Sequence, residues 1–176
     1  DDDKMVGFLP HCTFNLNARA ASIDTPLHSL LPYAHIDHVH PDAIIALAAS
    51  SGGEAATREI WGDQIGWLPW KRPGFTLGVM IRDFARANPQ AKGAMLAGHG
   101  IICWADTSKE CYEQSVRLIA EAAEYLNAKL GAGPAFGGAV AEVREDRAAI
   151  AAALMPRLRG LMDGARRKLG HFSDDA

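Results

Sequence analysis

The three cysteines, Cys12, Cys103 and Cys111, are odd in number and lack metal-site spacing. That excludes a disulfide framework and a cysteine-built zinc site, and it fits reduced thiols in a cytoplasmic protein. No dense run of Lys or Arg is present and the formal net charge is −3. A nucleic-acid backbone therefore finds no counter-charge to bind, and no nucleic-acid partner is expected. No apolar stretch reaches the ~20 residues that a bilayer span requires, and no signal-peptide pattern is present. No membrane partner is expected either.

What is there is ordinary for a globular chain. Hydrophobic residues make up 48% of the 176, with glycine and proline spread throughout. A chain of this length buries roughly 70% of its unfolded surface and needs no covalent staples. The start, Asp1-Asp2-Asp3-Lys4 before Met5, reads equally as the remnant of a cleavable tag or as native acidic sequence.

Strands and helices alternate along the first 130 residues. Thr25-Pro26 is an N-cap followed by proline at the first helical position, which predicts a helix from Pro26 to about Ala34. Ile36 to His40 reads as a strand, and Pro41 closes it and opens a helix over Ala43 to Leu47. A modest helix over 54–60, a strand over 64–68 and an amphipathic helix over 75–86 follow. Ala94–Ala97 and Ile101–Trp104 flank Gly98-His99-Gly100, as two paired strands around a turn or as one strand with a glycine kink. Thr107 and Glu110 form a capping box for a helix that ends at Gly131.

The glycine-rich stretch 131–138 is a break rather than a dinucleotide loop. Phe136 occupies the third glycine position, and no strand precedes it. Beyond it, 143–169 is Ala/Arg/Leu-rich and helical, with interruptions expected at Pro156 and Gly164. The pattern as a whole predicts an α/β layered domain over 1–130 and a helical linker over 131–176.

Three histidines crowd into His35-Ile36-Asp37-His38-Val39-His40. Alternate side chains of a strand share a face, so His38 and His40 point one way and Asp37 and Val39 the other. Two imidazoles so placed converge on one metal ion, although His-x-His also arises by chance on surfaces. His99 places one polar ring in a run otherwise suited to a sheet interior. Such a ring needs a partner, either a metal or a backbone carbonyl. Upstream, Asp24 precedes the expected helix start, where capping is the plain role for its charge. His28 lies four residues further on.

Taken together, the segment Ser22-Ile23-Asp24-Thr25-Pro26-Leu27-His28, the run His38-Val39-His40-Pro41-Asp42-Ala43 and the run Ala97-Gly98-His99-Gly100-Ile101-Ile102 resemble the class II aldolase/adducin family. The resemblance is best between Ser22 and Leu126. Its closest likeness is to bacterial proteins that fuse a rhamnulose-1-phosphate aldolase to a C-terminal short-chain alcohol dehydrogenase. It implies that His38, His40 and His99 hold zinc or another divalent metal and that Asp24 is the catalytic acid/base. Most relatives carry Glu there, so Asp24 reaches about 1.5 Å less far. The implied reaction is cleavage of a sugar-phosphate substrate, rhamnulose 1-phosphate, to dihydroxyacetone phosphate and an aldehyde. Epimerase or dehydratase chemistry on the same scaffold, and a non-catalytic adducin-like module, are the alternatives.

Relatives assemble as homo-oligomers, ring-like tetramers with sites at subunit borders. Trp61, Trp67 and Trp70 are candidates for such an interface, with core packing the preferred role. Family members also carry a phosphate-cradling segment rich in Gly, Asn, Ser and Thr, and nothing before Asp24 supplies it; Phe14-Asn15-Leu16-Asn17 is no substitute. The chain is therefore expected to be a partial aldolase domain from a longer polypeptide, with the dehydrogenase domain following its C-terminal linker.

Overall fold

A computed structural model describes residues 2–15, 19–131, 144–164 and 166–173. The chain forms α1 (Asp2–Phe8), α2 (Thr25–Ser29), β1 (His35–Val39), α3 (Asp42–Ala48), α4 (Gly53–Trp61) and β2 (Ile65–Leu68). It continues with α5 (Phe75–Ala87), β3 (Gly93–Leu96), β4 (Gly100–Ala105), α6 (Ser108–Leu130) and α7 (Arg147–Met162).

The four strands form one sheet in the order β1-β4-β3-β2. β4 runs antiparallel to both β1 and β3, whereas β2 and β3 are parallel. The two runs around His99 are thus paired strands, with Leu96 opposite Gly100, and the single kinked strand is excluded.

Strand alternation divides the sheet's side chains between two layers of helices. Ile65, Met95, Ile101 and Cys103 pack with residues of α3, α4 and α6 on one face. Leu68, Ala94, Leu96, Ile102 and Trp104 pack with Leu27 of α2 and Leu77 and Ile81 of α5 on the other. The architecture is the expected three-layer α/β/α arrangement. β1 obeys the same rule, with Val39 packed against the first core and Ile36 against the second.

Several boundaries differ from expectation. α2 stops at Ser29 instead of reaching Ala34. Pro32 explains this, because the residue before a proline is pushed out of the helical region. The strand expected over 36–40 spans His35–Val39, leaving His40 just beyond its end. Pro156 does not interrupt α7, which runs through it from Arg147 to Met162. No residue of that helix is buried, so solvent can reach the carbonyl that proline leaves unbonded. The residues of the glycine-rich break beyond Gly131 lie outside those described.

By its internal contacts the chain divides into two units, Asp1–Gly131 and Ala132–Ala176. Within the first unit the acidic start is engaged. Asp2 Oδ1 accepts hydrogen bonds from the amides of Phe75 and Thr76 at the start of α5, and Asp3 pairs with Arg72 at 2.6 Å. Among the described residues, no helix is long and apolar enough to cross a membrane.

α6 begins at the predicted capping box. The Thr107 hydroxyl accepts from the Glu110 amide, and the Glu110 carboxylate accepts from the Thr107 amide. Replacing Thr107 by Ala removes the first of these bonds and is predicted to cost about 1 kcal/mol. A lower urea midpoint at unchanged m-value is the expected observation; an unchanged midpoint would show that the cap contributes nothing.

Candidate metal centre

The three candidate ligands arrive from separate pieces of chain. His38 lies within β1, on the face shared with Ile36, and His40 follows the strand's last residue. His99 sits in the turn between β3 and β4. That turn is tied on both sides: the Gly98 amide donates to Ala48 O at 2.7 Å and the Ala97 amide to Leu68 O at 2.9 Å. Its Gly98 has a φ of +65°, a conformation that L side chains rarely adopt.

The structure brings the three imidazoles together. His38 Nε2 lies 3.0 Å from His40 Nε2 and 3.2 Å from His99 Nε2. Across the same space, 4.0 Å from His38 Nε2, is Asp24 Oδ2. Asp24 occupies the N-cap position of α2 but makes no side-chain cap hydrogen bond, so the plain capping role is not the one it plays. Instead the Ser22–Thr25 turn, closed by the Thr25 amide on Ser22 O at 3.0 Å, leaves its carboxylate facing the histidines.

Hydrogen bonding sets which ring nitrogen His38 offers. His38 Nδ1 lies 2.9 Å from the Ile101 carbonyl oxygen. Only a protonated Nδ1 can make that contact, which leaves the Nε2 lone pair directed at the other two rings. One lone pair cannot satisfy two incoming N–H groups well. A divalent ion resolves the conflict: at 2.0–2.1 Å from each nitrogen, tetrahedral geometry sets N···N separations of ~3.3 Å. His99 Nδ1 and Asp24 Oδ1 are also buried and without a hydrogen-bond partner among the described residues. The donor set therefore fits a divalent cation.

Burial also favours the ligating forms. It pushes the His38 pKa down to about 4, against the Ile101 hydrogen bond, with His99 and His40 adding to the depression and Asp24 opposing it. Burial lowers His99 as well, against the pull of Asp24. Both rings are neutral at pH 7, as a metal ligand must be.

Gly100 allows the close approach that the glycines beside His99 suggest in the sequence. A Cβ there would stand 2.4 Å from His40 Cδ2 and 2.7 Å from Val39 O, so the absent side chain is the space that His40 occupies. The Gly-His-Gly pattern carried that signal. The tryptophans separate: Trp61 is buried and Trp67 packs against the same core, whereas Trp70 is 65% exposed and lies against the Gly98 turn. Core packing thus holds for two of the three. His28 is exposed. Cys103 and Cys111 are buried free thiols, the latter pushed up to about 12 by burial, and neither is an available nucleophile.

Clefts of about 230 and 260 Å³ open elsewhere, lined by Arg58, Asp63 and Phe84 in one case and by Tyr33, Lys92 and Trp104 in the other. Neither contains a site residue, and the histidines instead open outward through exposed His40.

Two outcomes test this geometry. Gly100→Ala is predicted to displace the His40 ring and weaken cobalt binding by roughly 10- to 100-fold, the range seen when metal ligands lose their support. A cobalt titration followed in the visible spectrum reads this, with circular dichroism reporting whether the fold survives. The second concerns metal-free protein. Between about pH 4 and 6.5 the unfolded chain takes up a proton that buried His38 refuses, so stability rises with pH across this window and falls on acidification. His38→Asn should flatten the pH dependence of the urea midpoint in chelator; an unchanged slope would contradict the assignment.

Residues 6–126 match the family described as Class II Aldolase and Adducin N-terminal domain. The uncharacterized oxidoreductase YuxG of Bacillus subtilis (strain 168) is 37% identical over 175 residues, covering 98% of this chain and 25% of the relative. The chain thus spans about a quarter of the length of that curated relative. Among solved structures, the N-terminal class II aldolase domain of a conserved protein from Thermoplasma acidophilum is similar, with a TM-score of 0.63 and 28% identity. That match covers 72% of this chain and 58% of the other. With most of its length inside the family match and its sheet and helices in the matching arrangement, the chain belongs to the class II aldolase and adducin N-terminal domain family.

Proposed function

We propose that this chain carries the metal centre of a class II aldolase that cleaves a ketose 1-phosphate, rhamnulose 1-phosphate, to dihydroxyacetone phosphate and an aldehyde. The observation that carries the reading is the convergence of three imidazole nitrogens on one point beside the half-buried Asp24 carboxylate. His38, His40 and His99 would hold zinc or another divalent ion, leaving a coordination position open. When bound, the ion supplies Lewis-acid polarisation of a substrate oxygen.

The chain's own residues do the rest. His38 is held in one tautomer by Ile101 and keeps the ligand geometry rigid. Asp24, whose Oδ1 has no hydrogen-bond partner among the described residues, would take a proton from substrate and return it. Its reach is shorter than that of the family's usual Glu, and the Ser22–Thr25 turn positions the shorter side chain 4.0 Å from His38.

The same reading holds that the chain is part of a longer protein whose further portion is an oxidoreductase. The name and length of the Bacillus subtilis relative support this. The phosphate-binding segment and the subunit borders of a homo-oligomer then lie with the longer protein. Isolated, the 176-residue chain should bind metal yet show little aldol cleavage.

Metal analysis of protein purified without chelator is expected to find one ion per chain, and His99→Ala to lose it; a wild-type protein that carries none and regains none refutes the centre. In the longer protein, Asp24→Asn should retain the ion while turnover falls roughly 10²- to 10⁴-fold. Undiminished turnover would remove Asp24 from the mechanism. Near-native turnover by the 176 residues alone would refute the partial-domain reading.

A further inference from the structure

The face of β1 opposite His38 carries a second polar device. β1 offers one apolar side chain to each core, Ile36 on one face and Val39 on the other. Burial alone tells such a strand poorly which face to turn and which register to take. A slip of two residues would keep every side chain on its face. Yet it would set Ile36 or His40 opposite Ile102, where His38 now stands. The His38 ring would then lose the Ile101 carbonyl, and the three Nε2 atoms their meeting point.

Asp37 breaks this degeneracy. It stands opposite Cys103 of β4, so the two side chains share the sheet face that α6 covers. The Ser115 hydroxyl of α6 lies 2.7 Å from Asp37 Oδ2, 3.1 Å from Cys111 O and 3.2 Å from Cys103 Sγ. A hydroxyl has one proton to give and lone pairs to receive, and the shortest contact, to the carboxylate, takes the proton. Burial keeps the Cys103 thiol protonated, and its S–H donates to the Ser115 oxygen. β4, α6 and β1 are thus linked by one chain of donors and acceptors. Ser115 is itself held to the sheet. α6 begins close behind β4 at the Thr107–Glu110 cap, and the neighbouring Gln114 donates to the carbonyls of Lys92 and Trp104. Stability alone does not call for this arrangement. Val39, further along the same face, shows that an apolar residue fits there. Apolar residues often replace a buried polar pair without loss of stability, and the best-attested use of such a pair is to fix register.

We propose that the hydrogen bond from Ser115 to Asp37 sets the register of β1 on β4, which makes Asp37 and Ser115 positioning residues for the histidine centre. A slip of two residues would carry Asp37 roughly 6–7 Å along the strand, out of reach of Ser115. In the register observed, β1 is gripped on both faces at consecutive residues. Asp37 is held to α6 on one face, and His38 to the Ile101 carbonyl on the other. This rests on the reading of His38 and His40 as ligands, and it adds to that reading what aligns them.

Imidazole-nitrogen NMR of the 176-residue chain in chelator reads the tautomer of His38, and a cobalt titration reads the centre. Wild type should show one tautomer, protonated on Nδ1. Asp37→Asn keeps an acceptor for Ser115 and should match wild type in both measurements. Asp37→Val, alone or combined with Ser115→Ala, should give mixed tautomers and an altered visible cobalt spectrum. Its cobalt affinity should fall roughly 10- to 100-fold. The double variant leaves neither partner orphaned, so its urea midpoint is expected at or above that of Asp37→Val. Should Asp37→Val fail to fold, Ser115→Ala alone decides, with the same tautomer mixing and weaker cobalt binding expected. Folded variants that keep the wild-type tautomer and cobalt affinity overturn the proposal. So does a loss in Asp37→Asn as large as in Asp37→Val, which would make charge rather than the hydrogen bond the cause. If wild type binds no cobalt, the metal centre falls, while the tautomer comparison still decides what sets the register.

Discussion

The bond between His38 Nδ1 and the Ile101 carbonyl is the contact on which the site depends. It joins β1 to β4 through a side chain as well as through the backbone ladder. It also decides where the His38 proton resides, and so which nitrogen is free to bind. Were that proton on Nε2, His38 would turn an N–H rather than a lone pair toward the other two rings. The remaining candidate ligands follow from elements already committed to the sheet. His40 leaves the same strand one step later, and His99 sits in a turn tied to Ala48 and Leu68.

Much of this was legible in the chain. Where side chains repeat with a simple period, the residues announce their neighbours: Ile36 and His38 on one face, Asp37 and Val39 on the other. The Thr107–Glu110 box is equally local, requiring nothing beyond four residues. What stayed hidden depends on distant partners. The length of α2 was cut by Pro32, a signal present in the sequence but not weighed against the Thr25-Pro26 start. Trp70 looked like Trp61 and Trp67, and only tertiary placement separates an exposed indole from two packed ones. Asp24 in an N-cap position suggested capping, yet its carboxylate turns toward His38 because the Ser22–Thr25 turn is closed by other groups.

A site of this kind is costly to the fold that carries it. Burial opposes the charged forms of His38 and His99, and both His99 Nδ1 and Asp24 Oδ1 forgo hydrogen bonds. Such groups are tolerated where function requires them, and the surrounding structure offsets the loss. Here the offset is visible in two apolar cores, one on each sheet face, that place only complementary side chains between strands and helices. Even Asp37, the buried-side carboxylate of β1, is satisfied by Ser115 at 2.7 Å. Among the described residues, the unsatisfied buried side-chain groups are those at the histidines.

The topology of the hairpin has a kinetic consequence. β3 and β4 are joined by a three-residue turn, so His99 reaches its place through contacts close in sequence, which form early and fast. His38 and His40 join it only when β1 closes on β4, across a loop of about sixty residues whose entropy must first be overcome. An ion held by the three histidines would therefore not nucleate this domain as it does a zinc finger. It would meet a chain whose sheet is already assembled, and act as a lock on a finished structure rather than as a seed.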